Sequence, residues 1–187
     1  GWHYHRLLRE RRKMERPLVS IIVATYKPIP YLDKCIESAL VQDCALADIE
    51  ILICVNGQNR QYYEQLQKTY AHADRIRVLY TETQSLGAAR NLGISNARGD
   101  YLAFLDDDDY FTPHYVRDMM VYVREDTDVV CGRLVDFDEA TGRHTNATYI
   151  NTALFRDIYV NNTRFNPSLF SNLNGKLFSM SLLRRCT

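Results

Sequence analysis

The chain has 187 residues, 46% hydrophobic and 25% charged, which suffices for one domain with a real core and is short for two. Its 23 Lys and Arg balance 23 Asp and Glu. That balance argues against nucleic acid as the main partner, and the apolar content argues against disorder. No apolar run approaches the roughly 20 residues of a membrane-spanning helix.

Residues 1–16 concentrate the basic charge in Arg6, Arg9, Arg11, Arg12, Lys13 and Arg16. The apolar core of a secretory signal, about 7–15 residues, does not accompany them. The segment reads as a solvated lead-in or linker, with peripheral contact to anionic lipid or to a neighbouring domain as the sharper alternative. Residues 17–187 form the expected domain. Cys35, Cys44, Cys54, Cys131 and Cys186 make no C-x-x-C pair. Cys35, Cys54 and Cys131 sit among apolar residues, which points to a reducing, cytoplasmic setting without structural disulfide or zinc.

Val19-Ser20-Ile21-Ile22-Val23-Ala24 is a β-branched run of the kind buried on both faces of a sheet. Leu32, Cys35, Ile36, Ala39 and Leu40 then fall on one helical face. A second strand is expected over Ile49–Val55, closed by the turn pair Asn56-Gly57. A helix through Tyr63, Leu66, Tyr70 and Ala73 and a strand over Ile76–Tyr80 follow. Leu86–Ala97 reads as a helix with a small-residue face of Ala89, Gly93 and Ala97, capped by Gly99. Tyr101–Leu105 is a fourth buried strand, and Asp106-Asp107-Asp108-Asp109 comes directly after it. Pro113 opens a helix with Val116, Met119, Met120 and Val123 inward. Val129–Cys131 begins a fifth strand, Arg133–Asp138 stays extended, and Glu139–Gly142 turns into a returning strand. Short helices are expected near Ala153–Tyr159 and Gly175–Leu183.

Strand and helix alternate four times, the signature of an α/β fold with a mostly parallel sheet and helices on both faces. Ligands of such sheets sit beyond the carboxyl ends of the strands. Those ends are Thr25-Tyr26, Asn56-Gly57, Thr81–Leu86 and the Asp run. Four adjacent carboxylates repel unless a cation, backbone amides or Arg/Lys neutralise them. A hard ion such as Mg²⁺ or Mn²⁺ takes one or two carboxylates and completes its shell with water and phosphate. A solvated loop with an Asp capping the next helix is the bland alternative. Arg90, in the first turns of the helix entered through Ser85-Leu86-Gly87, could aim a guanidinium at an anion. There is no G-x-G-x-x-G, no P-loop and no G-x-S-x-G elbow.

Taken in order, Val19–Tyr26, Cys35–Leu40, Gly87–Ile94, Gly99–Asp109 and Asn174–Leu183 resemble family 2 glycosyltransferases with the GT-A fold, over about residues 17–185. The resemblance implies an inverting transfer of a sugar from a nucleotide-diphosphate donor, UDP-linked for preference, to a glycan or glycoconjugate hydroxyl. The D-x-D pattern of the family falls on Asp106 and Asp108. Asp108 would hold the Mn²⁺ or Mg²⁺ that bridges the diphosphate. Asp106 and Asp107 would face the nucleotide, Asp106 at the ribose or the waters of the metal. Thr25 and Tyr26 would line the nucleobase pocket, and Arg90 would contact base or phosphates. The family's usual D-D-G-S is Val55-Asn56-Gly57-Gln58 here, so Asn56 stands where an Asp accepts the uracil imide hydrogen. The family's catalytic base follows the N-K-L-F…S-L-L segment and is expected after Thr187, making these residues the donor-binding part of a longer enzyme. Two rivals remain on the sequence: a non-catalytic nucleotide-sugar-binding module on the same fold, and a phosphatase with a D-x-D motif. The phosphatase motif ends the first core strand, whereas Asp106-x-Asp108 ends the fourth.

Overall fold

The computed structural model describes residues 17–44, 48–132, 135–146 and 173–185. The lead-in over residues 1–16 and the helix expected near residues 153–159 lie outside them. Eight strands form: β1 (Val19–Thr25), β2 (Ile49–Asn56), β3 (Ile76–Thr81), β4 (Tyr101–Asp106), β5 (Val129–Cys131), β6 (Val135–Asp138), β7 (Arg143–Asn146) and β8 (Lys176–Ser179). The helices are α1 (Leu32–Leu40), α2 (Arg60–Thr69), α3 (Leu86–Asn96), α4 (Tyr115–Met120) and α5 (Met180–Arg185).

Six strands make one sheet in the order β3-β2-β1-β4-β8-β5, and β6 pairs β7 in a separate hairpin. The pairs β1–β2, β1–β4 and β2–β3 are parallel; β8 runs antiparallel to β4 and β5. Chain order steps outward from β1 through β2 to β3, then returns through α3 to β4 on the other side of β1. That reversal opens a crevice at the carboxyl ends of β1 and β4, the place where such sheets bind ligands.

Alternation along the strands divides the core between two faces. Ile21, Val23, Ile51 and Ile53 pack with Leu32 and Ile36 of α1, Leu66 of α2 and Val116 of α4. Ile22, Leu52, Leu102 and Phe104 pack with Ala89 of α3 and Met180 of α5. Burial on both faces explains why β1 and β2 are largely apolar without alternation, apart from buried polar residues such as Ser20 and Glu50. The small-residue face of α3 lets it approach closely: a Cβ on Gly93 would lie 2.7 Å from two carbons of Ile22.

Two expectations need correction. Lys176–Ser179 is a strand, not part of a helix; the helix begins at Met180. Its neighbours Leu177 and Phe178 alternate into the two separate core clusters, which a strand between β4 and β5 permits. Gly99 does not cap α3, whose C-cap is Ala97. Gly99 instead passes so close to β1 that an added Cβ would sit 2.7 Å from the Ser20 nitrogen, and its N–H donates to Ser20 Oγ at 2.9 Å.

A buried polar knot ties this end of the sheet together. Glu50 Oε1 accepts from the Ser20 hydroxyl and from the Arg98 N–H, both at 2.6 Å, while Oε2 pairs with Arg77 at 2.9 Å. At the opposite end, α1 holds the chain that follows the Asp run. Ser38 Oγ accepts from the Phe111 N–H at 3.0 Å, and Gln42 binds the Thr112 carbonyl and the Val116 N–H.

Candidate active site

The sheet register brings the expected strand ends to one edge: Thr25 lies beside Val55, Asn56 beside Thr81, and Ala24 beside Asp106. Two asparagine amides pin the end of β1. Asn56 Nδ2 donates to the Thr25 carbonyl at 3.1 Å, and Asn59 Nδ2 donates to the Tyr26 carbonyl at 3.3 Å. Asn59 also caps α2, its side chain accepting from the Tyr62 N–H. Between them, Gly57 adopts φ +84°, and a Cβ there would meet Tyr26 Cε2 at 2.6 Å. The turn therefore lets the Tyr26 ring lie against it, and Tyr26 stays 43% exposed.

Thr25 is buried, 2% exposed. Its hydroxyl contacts the Tyr62 hydroxyl at 3.3 Å, and Thr25 opposes the rise of the Asp107 carboxyl pKa.

The four carboxylates are not equivalent. Asp106 is held on both oxygens: Arg90 Nη2 donates to Oδ1 at 3.0 Å and Asn174 Nδ2 donates to Oδ2 at 2.6 Å. The same Asn174 amide reaches Asp109 Oδ2 at 3.1 Å. Asp107 is half-buried. The exposed Asp108 makes no hydrogen bond or ion pair with another described residue. Burial, then the neighbouring Asp108 and Asp106, raise the Asp107 carboxyl above the usual range against the opposing effect of Thr25. Burial and the same two neighbours raise Asp109 too, against the opposing Asn174 bond. Cys35, under the run with its thiol 3.5 Å from the Asp106 carbonyl, is pushed up by burial and by the carboxylates, and is an inert thiol.

Every expected site residue within the described chain thus lies at one edge of the sheet. Arg90 and Asp106, each expected on a ligand, bind one another here. The base expected beyond Thr187 lies outside the described residues. Asn59, Tyr62 and Asn174 were not foreseen; Asn59 could have been, as an Asn directly before a helical stretch. Among the described residues no three His, Cys, Asp or Glu side chains converge on one point. A hard ion sharing its shell with phosphate needs only one or two carboxylates, and the unengaged Asp108 fits that requirement.

Past Asp108 and Asp109 the site opens into a cleft of about 500 Å³, walled on its far side by the β6–β7 hairpin.

Comparison with known proteins shows the family and the fold. Glycosyl transferase family 2 matches residues 20–186. EpsH of Bacillus subtilis, named for a glycosyltransferase, is 38% identical over 132 residues, covering 70% of this chain and 37% of EpsH. The chondroitin synthase of Escherichia coli is 34% identical over 115 residues, covering 62% of this chain and 16% of that protein. The chain spans well under half the length of these relatives. In fold it is similar to S. aureus TarS 1–349 in complex with UDP-GlcNAc, with TM-score 0.64 and 23% identity over 90% of this chain and 47% of that one. No described helix is long and apolar enough to cross a membrane. A chain whose strand ends gather Thr25, Asn56, Arg90 and the Asp run at one crevice, and which the family matches over nearly its whole length, belongs to glycosyltransferase family 2.

Proposed function

We propose that this chain carries the donor site of an inverting, metal-dependent glycosyltransferase that uses a nucleotide-diphosphate sugar, UDP-linked for preference, and a glycan or glycoconjugate acceptor. The observation that carries the reading is the division of labour in the Asp run. Asp106 and Asp109 have protein hydrogen-bond partners and Asp107 is half-buried, whereas Asp108 is exposed and makes no hydrogen bond or ion pair with another described residue.

In this reading Asp108 holds Mn²⁺ or Mg²⁺ together with the donor diphosphate. When bound, the ion supplies Lewis-acid neutralisation of the charge that develops on the leaving nucleotide. Arg90 and Asn174 hold the Asp106 carboxylate in place on both oxygens, so the strand end does not rearrange as charge moves. The exposed Tyr26 ring offers a flat apolar face to the nucleobase. Asn56 supports a uridine preference. Its Nδ2 is committed to the Thr25 carbonyl, which leaves Oδ1 as the acceptor for the imide N–H of uracil. The TarS complexes with UDP-GlcNAc and UDP show that a neighbour of this fold binds such donors.

Calorimetry of UDP binding with Mn²⁺ to the wild type and to Asp108→Ala tests the assignment. The expected result is a loss of Mn²⁺-dependent UDP affinity in the variant. Equal binding by both would overturn the metal role of Asp108.

A further inference from the structure

The cleft meets the donor side at Asp108, Asp109 and Asn174 and extends away from it: Thr25, Tyr26, Asn56 and Arg90 do not line it. Its volume, about 500 Å³, is in the range of small-molecule sites. Two features give it a chemistry.

The first is an aromatic wall. Tyr110 and Phe137 meet edge to face with ring centroids 5.8 Å apart, and Tyr31 and Phe111 line the same space. Lys34 of α1 locks this wall together. Its Nζ lies 4.4 Å from the Tyr110 ring centroid, 5.2 Å from that of Phe137, and 3.1 Å from Glu139 Oε1. The β6–β7 hairpin, which carries Phe137 and leads into Glu139, is thereby fastened to α1 and to the chain after the Asp run.

The second feature is charge. Asp108, Asp109, Asp136 and Glu139 line the cleft. Lys34 is the one cation among the described lining residues, and it is already engaged by Glu139 and two rings. A divalent ion at Asp108 would offset part of this charge, but its open positions serve the donor diphosphate. An incoming carboxylate or phosphate would meet like charge, with no cation besides the engaged Lys34 among the described lining residues. A neutral sugar would meet ring faces for its C–H side and carboxylate oxygens for its hydroxyls.

We propose that this cleft is the acceptor subsite, that it takes an uncharged sugar residue against Tyr110 and Phe137, and that it disfavours acceptors whose terminal residue bears a carboxylate or phosphate. The assignment of the cleft to an acceptor rests on the glycosyl-transfer reading; the preference for a neutral sugar rests on the cleft itself.

The test uses the full chain and two probes that differ at one carbon: methyl β-D-glucopyranoside and methyl β-D-glucuronide. Saturation-transfer NMR, with and without UDP and Mn²⁺, reads their affinities. The neutral glycoside is expected to bind about tenfold or more tightly than the glucuronide, a gap of one like-charge contact. Phe137→Ala should weaken the neutral glycoside about fivefold or more. The double change Asp136→Asn with Glu139→Gln should narrow the gap by strengthening the glucuronide, which a general loosening of the hairpin would not do. Equal binding of the two glycosides, binding of neither, or an unchanged gap in the double variant would overturn the proposal. UDP titration of each variant reports separately on folding and on the donor site. Wild type that takes the neutral glycoside but not UDP would sink the glycosyl-transfer reading and leave the sugar preference standing.

Discussion

Arg90 and Asp106, sixteen residues apart in sequence, meet at 3.0 Å across the crevice between α3 and β4. Arg90 is 18% exposed and also lies over the Phe104 ring, 5.5 Å from its centroid. The pair thus joins the helix after β3 to the acidic end of β4.

Removing Arg90 leaves Asp106 beside three other carboxylates without its cation. Arg90→Ala is expected to destabilise the fold by about 1–2 kcal/mol, the range for a charge-assisted hydrogen bond discounted for the partial exposure of Asp106. Arg90→Lys keeps the charge but not the planar fork, and should recover part of the loss. Urea denaturation of the three proteins checks this ordering. A fully stable Arg90→Ala would show that Asn174 alone holds Asp106.

Glu50 should matter more to stability than any Asp of the run. Its carboxylate is almost wholly buried and receives Ser20, Arg98 and Arg77. Glu50→Ala removes the acceptor of three donors and strands the partly buried Arg77 guanidinium. The expected cost is about 3 kcal/mol or more, by the rule that breaking one side of a buried pair leaves an uncompensated charge. A shift in the denaturation midpoint measures it, and a change under 1 kcal/mol, about the size of an exposed pair, would refute it.

The Asp run should oppose folding at neutral pH. Asp107 and Asp109 have carboxyls raised above their ordinary value, chiefly by burial. A carboxyl raised in the folded state binds protons more tightly there than in the unfolded chain. Its contribution is therefore fully favourable below the ordinary carboxyl pKa and is lost as pH rises through the raised value. Asp109→Asn removes one charge and keeps an oxygen for the Asn174 amide. In the metal-free protein it should raise Tm at pH 7, with the difference from wild type shrinking as the pH is lowered toward about 4, the ordinary Asp value. Thermal scans across that range decide it; a lower Tm for Asp109→Asn at pH 7 would contradict the account. Such a gain in stability at a binding site is the usual trade against function.

How far the sequence reveals this site follows from the range of each signal. β1, β2 and β4 were legible because strands buried on both faces are apolar without alternation, and the Asp run was visible where β4 ends. The strand Lys176–Ser179 was not. Four residues with only Leu177 and Phe178 apolar carry no period of their own, and their conformation is set by the gap between β4 and β5. Gly99 was misread for a related reason: its neighbour is Ser20, 79 residues away, rather than the helix beside it. Asn174 and Lys34 belong to the same class. Their partners lie 65 and 105 residues distant, at Asp109 and Glu139; nothing local marks Lys34, and Asn174 is legible only as the start of a family-like segment, not as a partner of the Asp run. The residue types of the site were local signals, while the bonds that orient them are tertiary.

Asn56 is where a local departure from the family pattern and a tertiary bond meet. Only a nitrogen can donate to the Thr25 carbonyl, so the 3.1 Å contact fixes the amide orientation and assigns Oδ1 as acceptor. Uracil presents an N–H to such an oxygen; cytosine presents a ring nitrogen acceptor in its place, and the two would repel. Wild type should therefore bind UDP more tightly than CDP, by about fivefold to twentyfold for one neutral hydrogen bond made or mismatched. Asn56→Ala should bring the two nucleotides close together, mainly by weakening UDP. Asn56→Asp retains the acceptor but places a carboxylate oxygen against the Thr25 carbonyl, so it should keep the preference for UDP while losing thermal stability. Paired titrations of UDP and CDP with Mn²⁺ read the ratio directly. An unchanged ratio in Asn56→Ala would show that the base is read elsewhere, and a stable Asn56→Asp would show that the bond to Thr25 does not set the orientation.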